Sequence, residues 1–252
     1  MVARYFLLLF VLSGADSSRI IGGRDAAPHS LPYMASVQLQ GRHLCGGALV
    51  REDFVLTAAH CETRGIPTVV LGVDSLTGTE PTKQQFLVVK SFPHPGYDGH
   101  KNDIMLLKVR TTAVSFSFSK YFSLSEAVQV ISLKPGTLNQ ISQCITAGWG
   151  DIGDNNTLPK TLQEVNVTTL PHRICERRWG QVPITQSMVC GVGSHSLQGF
   201  CSGDSGGPLV CDGDAAGVIS FSGRRCGDPQ TPDVYTRISS FRAWIQRVLN
   251  DN

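Results

Sequence analysis

Three residues far apart in the chain have the types needed for nucleophilic catalysis: His60, Asp103 and Ser205. Ser205 lies in Gly203-Asp204-Ser205-Gly206-Gly207-Pro208. This is a tight, glycine-flanked turn where backbone approaches a substrate closely and two N–H groups can aim at one point. A serine hydroxyl is a weak nucleophile until a base takes its proton. His60, at the end of the apolar run Leu56-Thr57-Ala58-Ala59, offers that base. Asp103 leads the apolar run Ile104-Met105-Leu106-Leu107, where a carboxylate is costly unless a donor such as a His N–H binds it. Singly, each is an ordinary turn or core residue; the order His60, Asp103, Ser205 with all three contexts is far more specific. The serine segment also satisfies G-x-S-x-G, the nucleophile elbow of α/β-hydrolases. That architecture needs its His after the Ser, and the last His here is His195, so chain order excludes it.

A compact fold must gather these groups. The 252 residues are 41% hydrophobic and 17% charged, with 26 Gly and 8 Cys. That is one large domain or two small ones, and the profile excludes disorder, coiled coil and collagen. A net charge of +2 is too small for a nucleic-acid binder. Short runs rich in β-branched and aromatic residues recur between turn signals, at 33–39, 48–56, 69–72, 86–89, 104–109, 143–148, 164–170, 208–211, 217–221 and 233–237. They predict an all-β antiparallel architecture, and so many strands suit two stacked barrels better than one. The join falls between Lys108 and Pro135. Only the last segment reads as a helix: Phe241, Trp244, Ile245, Val248 and Leu249 share one face, capped upstream by Ser239 or Ser240.

The N-terminus reads as a secretory signal peptide, with Arg4, an apolar run from Tyr5 to Leu12, then Ser13-Gly14-Ala15-Asp16-Ser17-Ser18. It covers residues 1–17, or 1–15 if cleavage follows Ala15. The run is shorter than the roughly 20 residues a bilayer needs, and no later stretch is long or apolar enough, so a secreted protein without a membrane span is expected. In that compartment an even number of cysteines implies disulfides, although spacing selects no pairing. The absence of a C-x-x-C pair weakens zinc and thioredoxin readings. Asn155 and Asn166 head Asn-x-Thr sequons and are candidate glycosylation sites.

With these residues in view, the chain resembles the chymotrypsin-like serine proteases over essentially everything after Arg19. The matching stretches are Ile20-Ile21-Gly22-Gly23, TAAHC at 57–61, NDIMLL at 102–107, CITAGWG at 144–150, CSGDSGGPLVC at 201–211 and TPDVYTRI at 231–238. The resemblance implies a protease domain over 20–252, built from two six-stranded antiparallel β-barrels, about 20–125 and about 126–240, with a C-terminal helix over about 240–250. It implies a serine endopeptidase in which Ser205 attacks the scissile carbonyl, His60 moves the proton and Asp103 orients the imidazole. The N–H groups of Gly203 and Ser205 form the oxyanion hole, and Ser220 supports the buried Asp103. The cysteines pair as Cys45–Cys61, Cys144–Cys211, Cys175–Cys190 and Cys201–Cys226. Residues 18–19, or 16–19, become an activation propeptide, and cleavage at Arg19-Ile20 frees an amine on Ile20 that pairs with Asp204. Protein or peptide substrates and serpin-type inhibitors are the implied partners, for a monomer that needs no cofactor and is secreted, with storage in granules before release a variant of that. Relatives that have become silent binding proteins usually lack His or Ser of the triad, and this chain keeps both.

By the same resemblance Gly199 lies at the base of the primary specificity pocket, Phe200 beside it, Phe221 and Ser222 on one wall and Asp233 on another. Trypsin-like members carry Asp in place of Gly199, and Phe200 should leave the pocket shallow, which suits elastase-like cleavage after small aliphatic residues. Asp233 with Ser222 offers instead a carboxylate to an Arg guanidinium lying across the pocket. With FSGRRCGDPQTPDVYT at 221–236 and PHSLPYMASV at 28–37, the combination resembles a branch of the family that looks like an elastase yet prefers arginine. Arg is therefore the expected residue before the scissile bond, with elastase-like cleavage the alternative. Two departures stand out. The stretch from Asp103 to Cys144 is longer than usual, with the surplus around Ser117–Ser123. Val73 to Glu80 holds too few carboxylates for the calcium cage of some relatives, so no metal is expected. Arg173, Arg177, Arg178, Arg224 and Arg225 read either as a weak proteoglycan patch or as scattered solvated side chains.

Overall fold

The computed structural model describes residues 22–111, 123–138, 140–153 and 157–252. The leader, Ile20, Asn155 and nearly all of the 117–123 surplus lie outside these residues. The strands are β1 (Arg24–Asp25), β2 (Met34–Leu39), β3 (Arg42–Arg51), β4 (Phe54–Thr57), β5 (Thr68–Leu71), β6 (Gln84–Pro93) and β7 (Met105–Thr111). They continue as β8 (Gln143–Gly148), β9 (Gln163–Leu170), β10 (Met188–Gly193), β11 (Pro208–Cys211), β12 (Asp214–Phe221) and β13 (Asp233–Arg237). Among the described residues there are also two α-helices, α1 (His172–Trp179) and α2 (Arg242–Asp251). In the order β2-β3-β4-β7-β6-β5 the first six-stranded barrel closes. The second runs β8-β9-β10-β13-β12-β11, with β11 returning to β8 and β1 added at the side of β9. All ladders between these strands are antiparallel, and the two-barrel fold implied by the resemblance is present.

Alternation builds the barrel walls. Along β9, Val165 and Val167 point into the second core while Asn166 faces out. In the first barrel Leu49, Phe54, Leu56, Leu71 and Leu106 are fully buried, each burial worth about 1.5–3 kcal/mol against exposure. Sequence reading merged two of its strands: 48–56 is a hairpin, in which Ala48 pairs with Leu56 and Arg51 with Phe54. Both arms are apolar on both faces, so periodicity carries no break. The turn is held by Arg51, whose Nε and Nη2 donate to Asp53 at 2.5 and 3.0 Å. Strand β10 and helix α1 were not expected. Gly191 and Gly193 dilute the strand signal of β10, and α1 buries only Cys175, so it has almost no apolar stripe.

The terminal helix carries the expected face, but its cap differs. Ser239 and Ser240 lie inside a 3₁₀ turn over Ile238–Phe241, Phe241 takes the N-cap position, and no side chain caps the helix. Burial of Phe241 and Ile245 in the first barrel's core does the anchoring instead. The chain passes between barrels where Ile131 N–H bonds Leu49 O (2.9 Å) and Lys134 N–H bonds Ala215 O (2.9 Å). Each end of the described chain returns to the opposite barrel: β1 pairs with β9 of the second, and α2 packs on the first.

Candidate active site

His60 stands on a single 3₁₀ turn, Ala59–Cys61, directly after β4, and the Cys45–Cys61 disulfide ties that turn to β3. Asp103 enters from the start of β7. Its Oδ1 accepts the His60 backbone N–H (3.0 Å), and its Oδ2 accepts both His60 Nδ1 (2.7 Å) and Ser220 Oγ (2.6 Å). Thr236 Oγ1 donates to the Asp103 carbonyl (2.7 Å). Burial alone would push the Asp103 carboxyl up, but the hydrogen bonds and charge of His60, with Ser220, hold it below the ordinary range. It is therefore ionised and acceptor-only, which puts the His60 proton on Nδ1 and leaves Nε2 as the free base. The imidazole is 32% exposed and its carboxylate partner 5%. The base faces solvent and its orienter does not.

Ser205 comes from the second barrel, between Cys201 and β11. Its carbonyl accepts Gly46 N–H of β3 at 2.8 Å, and Cys61 Sγ touches the same oxygen at 3.7 Å. A disulfide sulfur has no proton to donate, so the latter is packing. These contacts set the serine turn against the His60 turn. Ser205 Oγ makes no hydrogen bond to a described residue, and in unliganded enzymes such contacts commonly tighten only with substrate. Around it the N–H groups of Asp204, Gly206 and Gly207 bond to Cys201, Ile219 and Asp204 carbonyls. The N–H groups of Gly203 and Ser205 find no acceptor among the described residues, so both remain free to donate. Gly203 adopts φ +97°, where a side chain would be strained and its Cβ would meet Gly150 Cα at 2.9 Å.

Two anchors hold this loop. Asp204 is fully buried, its carboxylate accepting Gly150 N–H (2.7 Å) and Cys201 N–H (2.9 Å); burial pushes its pKa up to about 7 in spite of these bonds. His43, held below its ordinary pKa by burial, bridges Gly203 O (2.9 Å) and Ser36 Oγ (2.8 Å). A carbonyl only accepts, so Nε2 carries the proton and Nδ1 accepts from the serine.

In the specificity region, Asp233 Oδ2 accepts Phe200 N–H (3.1 Å) and Oδ1 accepts Ser222 Oγ (2.6 Å). A Cβ on Gly199 would meet Asp233 Oδ2 at 2.1 Å, so glycine is required there because the carboxylate fills the space. Burial pushes Asp233 up to about 7, against the pull of Ser222 and Phe200. The Phe200 ring meets Tyr235 edge-on at 5.4 Å and belongs to the second barrel's core. The Cys201–Cys226 bridge ties this segment to the loop before Gly227; the Cys144–Cys211 and Cys175–Cys190 bridges lie elsewhere in the second barrel. No free cysteine is present among the described residues.

A family model described as Trypsin matches residues 20–245. The chain belongs to the trypsin family of serine proteases. Serine protease 57 of Mus musculus is 41% identical over 96% of this chain and 84% of its own length. Mast cell protease 3 of Ovis aries is 42% identical over 97% and 95%. Granzyme B(G,H) of Mus musculus is 37% identical over 99% and 100%. The solved structure of neuropsin, a serine protease expressed in the limbic system of mouse brain, aligns with a TM-score of 0.82 and 35% identity, over 90% of this chain and 98% of that one. This trypsin-family member is a serine endopeptidase, a hydrolase of protein substrates.

Sequence reasoning missed several residues packed around these groups in this trypsin-family member. His43 carries no local motif; only the fold brings it under Gly203. His100 donates from Nε2 to Pro183 O (2.9 Å) and lies 4.7 Å from the Phe221 ring, which meets Trp179 at 5.2 Å. Phe221 thus sits in an aromatic row that bridges both barrels. Nothing in the local sequence of His100 or Trp179 marks this, since each acquires its partner through the barrel packing. Among the described residues no helix is long and apolar enough to cross a membrane.

Proposed function

We propose that this protease is secreted as a zymogen and, once Ile20 is freed, cleaves after arginine through Ser205, His60 and Asp103. The supporting observation for the chemistry is the buried Asp103 carboxylate aimed at His60 Nδ1 beside two unpaired backbone donors on the serine loop. His60 Nε2 takes the Ser205 proton as Oγ attacks, the oxyanion forms at the N–H groups of Gly203 and Ser205, and the proton passes to the leaving amine. Water then repeats the sequence on the acyl-enzyme.

Arginine preference is favoured by Asp233, whose carboxylate lies where a side chain at 199 would and is braced by Ser222. A guanidinium paired there recovers its desolvation through bidentate donation. In the elastase-like reading the Asp233 charge is satisfied by its local hydrogen bonds and is not used by substrate. With its pKa near 7 the two readings separate by pH. On a peptide library, Arg before the scissile bond should dominate at pH 8, and the Arg-to-Val ratio of kcat/KM should fall as pH drops through about 7. Taking the ratio cancels the titration of the base common to both substrates. Asp233→Asn should flatten the ratio, and Val preference with no Arg turnover at pH 8 removes the claim.

Activation rests on Asp204. A fully buried carboxylate whose pKa burial lifts to about 7 is a poor resting state, and an α-ammonium with a reference pKa near 7.7–8.0 would restore its charge. Breaking such a buried pair costs about 3–5 kcal/mol. The variant Arg19→Gln should accumulate as inactive precursor, and N-terminal sequencing of active wild type should begin at Ile20; a fully active, uncut Arg19→Gln chain overturns this. Asn166 is exposed on β9, which suits a glycan. Arg178 donates to Pro229 O (2.8 Å), drawing the basic end of α1 toward the Arg224–Arg225 loop, an arrangement suited to weak proteoglycan contact.

A further inference from the structure

We propose that the cavity between β9, β10, β13 and the loop before β8 is a binding site for a small organic carboxylate with an apolar body. It encloses about 510 Å³, within the range of small-molecule sites. Its lining residues include no member of the triad, the serine loop or the specificity region. Leu138, Leu170 and Val189 give it an aliphatic wall, with Leu138 and Val189 resting on the second barrel's core. Arg173 and Arg237 supply positive charge, and among the described residues no Asp or Glu lines it. His172 also lines the cavity, but its Nε2 lies 3.3 Å from Glu176 Oε1 and is engaged there.

The charge on Arg237 is the deciding feature. Its Nε donates to Gln186 O (3.0 Å) and its Nη2 to Met188 O (3.1 Å). Both acceptors are neutral carbonyls, and among the described residues Nη1 has no acceptor and no carboxylate lies within ion-pair distance. A guanidinium keeps its proton at physiological pH. Burial pulls the Arg237 pKa below the ordinary value, with no acid to oppose it. A half-buried cation left in this state is stabilised by an anion that reaches it. The two carbonyl bonds fix the guanidinium plane, so little side-chain freedom is lost when Nη1 takes a carboxylate oxygen.

Thr169 supplies a second recessed donor. It is 1% exposed and lines the same cavity. Its Oγ1 accepts Ser142 N–H (2.8 Å), and its own proton has no acceptor among the described residues. The wall decides what the anion is attached to. A bare inorganic anion would leave the aliphatic side chains facing water, whereas an apolar body covers them. A sulfated polysaccharide suits exposed cations on a convex surface, and here the better-held cation is recessed in a concavity.

The test uses the full chain, blocked at its active site by a fluorophosphonate so that the probe cannot enter the cleft. Naphthalene-2-carboxylate, titrated by calorimetry, should bind with one equivalent and raise the thermal midpoint by mass action. Its neutral amide should bind more than about tenfold more weakly, since a charge-assisted bond is lost. Arg237→Gln should weaken the carboxylate by a similar factor. That change also removes the donors to Gln186 O and Met188 O, so two milder variants accompany it. Gln140→Glu places a carboxylate on the exposed rim, and Arg173→Gln removes the outer cation. Each should weaken the probe by about threefold or more while leaving the midpoint without ligand near that of the parent. Arg178→Gln, outside the cavity, should change nothing. Equal affinity for acid and amide, binding indifferent to both Gln140→Glu and Arg173→Gln, or a loss caused by Arg178→Gln would each overturn the assignment. So would a heparin tetrasaccharide that binds more tightly than the carboxylate and is lost in the same variants.

Discussion

Ser205→Ala is expected to lower kcat for peptide hydrolysis by about 10⁶-fold, the scale of loss when a triad nucleophile is removed. The protein itself should be nearly untouched. The hydroxyl is half-buried and bonds to no described residue, so its removal orphans no partner. The serine turn is held by backbone, through the Gly46 N–H to Ser205 carbonyl bond and the Asp204 anchors, none of which involves Oγ. Secretion and thermal midpoint should match wild type, and labelling by a fluorophosphonate should disappear. Turnover comparable to wild type would refute the role given to Ser205.

The second large effect is expected from Asp103→Asn, at about 10⁴-fold in kcat with KM little changed. An amide is nearly isosteric but can donate where the carboxylate only accepts. His60 Nδ1 at 2.7 Å and Ser220 Oγ at 2.6 Å both now donate to the same oxygen, Oδ2. An NH₂ group at that position turns the imidazole to the tautomer whose Nε2 carries the proton, and the base is lost. The substitution should also alter acid stability. The folded-state pKa of Asp103 is depressed, so its contribution is present above the ordinary carboxylate range and is lost as pH falls through the folded value. The variant should lack that acid-side component in thermal midpoints measured against pH. Equal kcat for the two proteins would refute the orienting role.

Legibility varied with how local each cause is. His60, Asp103 and Ser205 stood out as candidates because each sits in a distinctive local context and chain order separates competing architectures. The cysteine pairing came only through family resemblance, since spacing alone admits many solutions. Strand content was readable from β-branched runs, but the hairpin at Arg51–Phe54 was not, because both arms are apolar and the turn is marked only by Glu52 and Asp53. The serines before α2 look like caps by type, yet the apolar anchors Phe241 and Ile245 set where the helix begins. The contacts of His43 and His100 are products of tertiary proximity. A single sequence holds no signal for which distant loops will meet.

The exchange of chain ends between barrels has a consequence for the protein as a whole. The first half, made alone, would expose the apolar end that Phe241 and Ile245 cover, and the second would lose its flanking strand partner on β9. Neither half is thus a self-sufficient unit, although each encloses its own barrel. Unfolding of the two halves is accordingly expected as one concerted event, since each already holds the other by the tail.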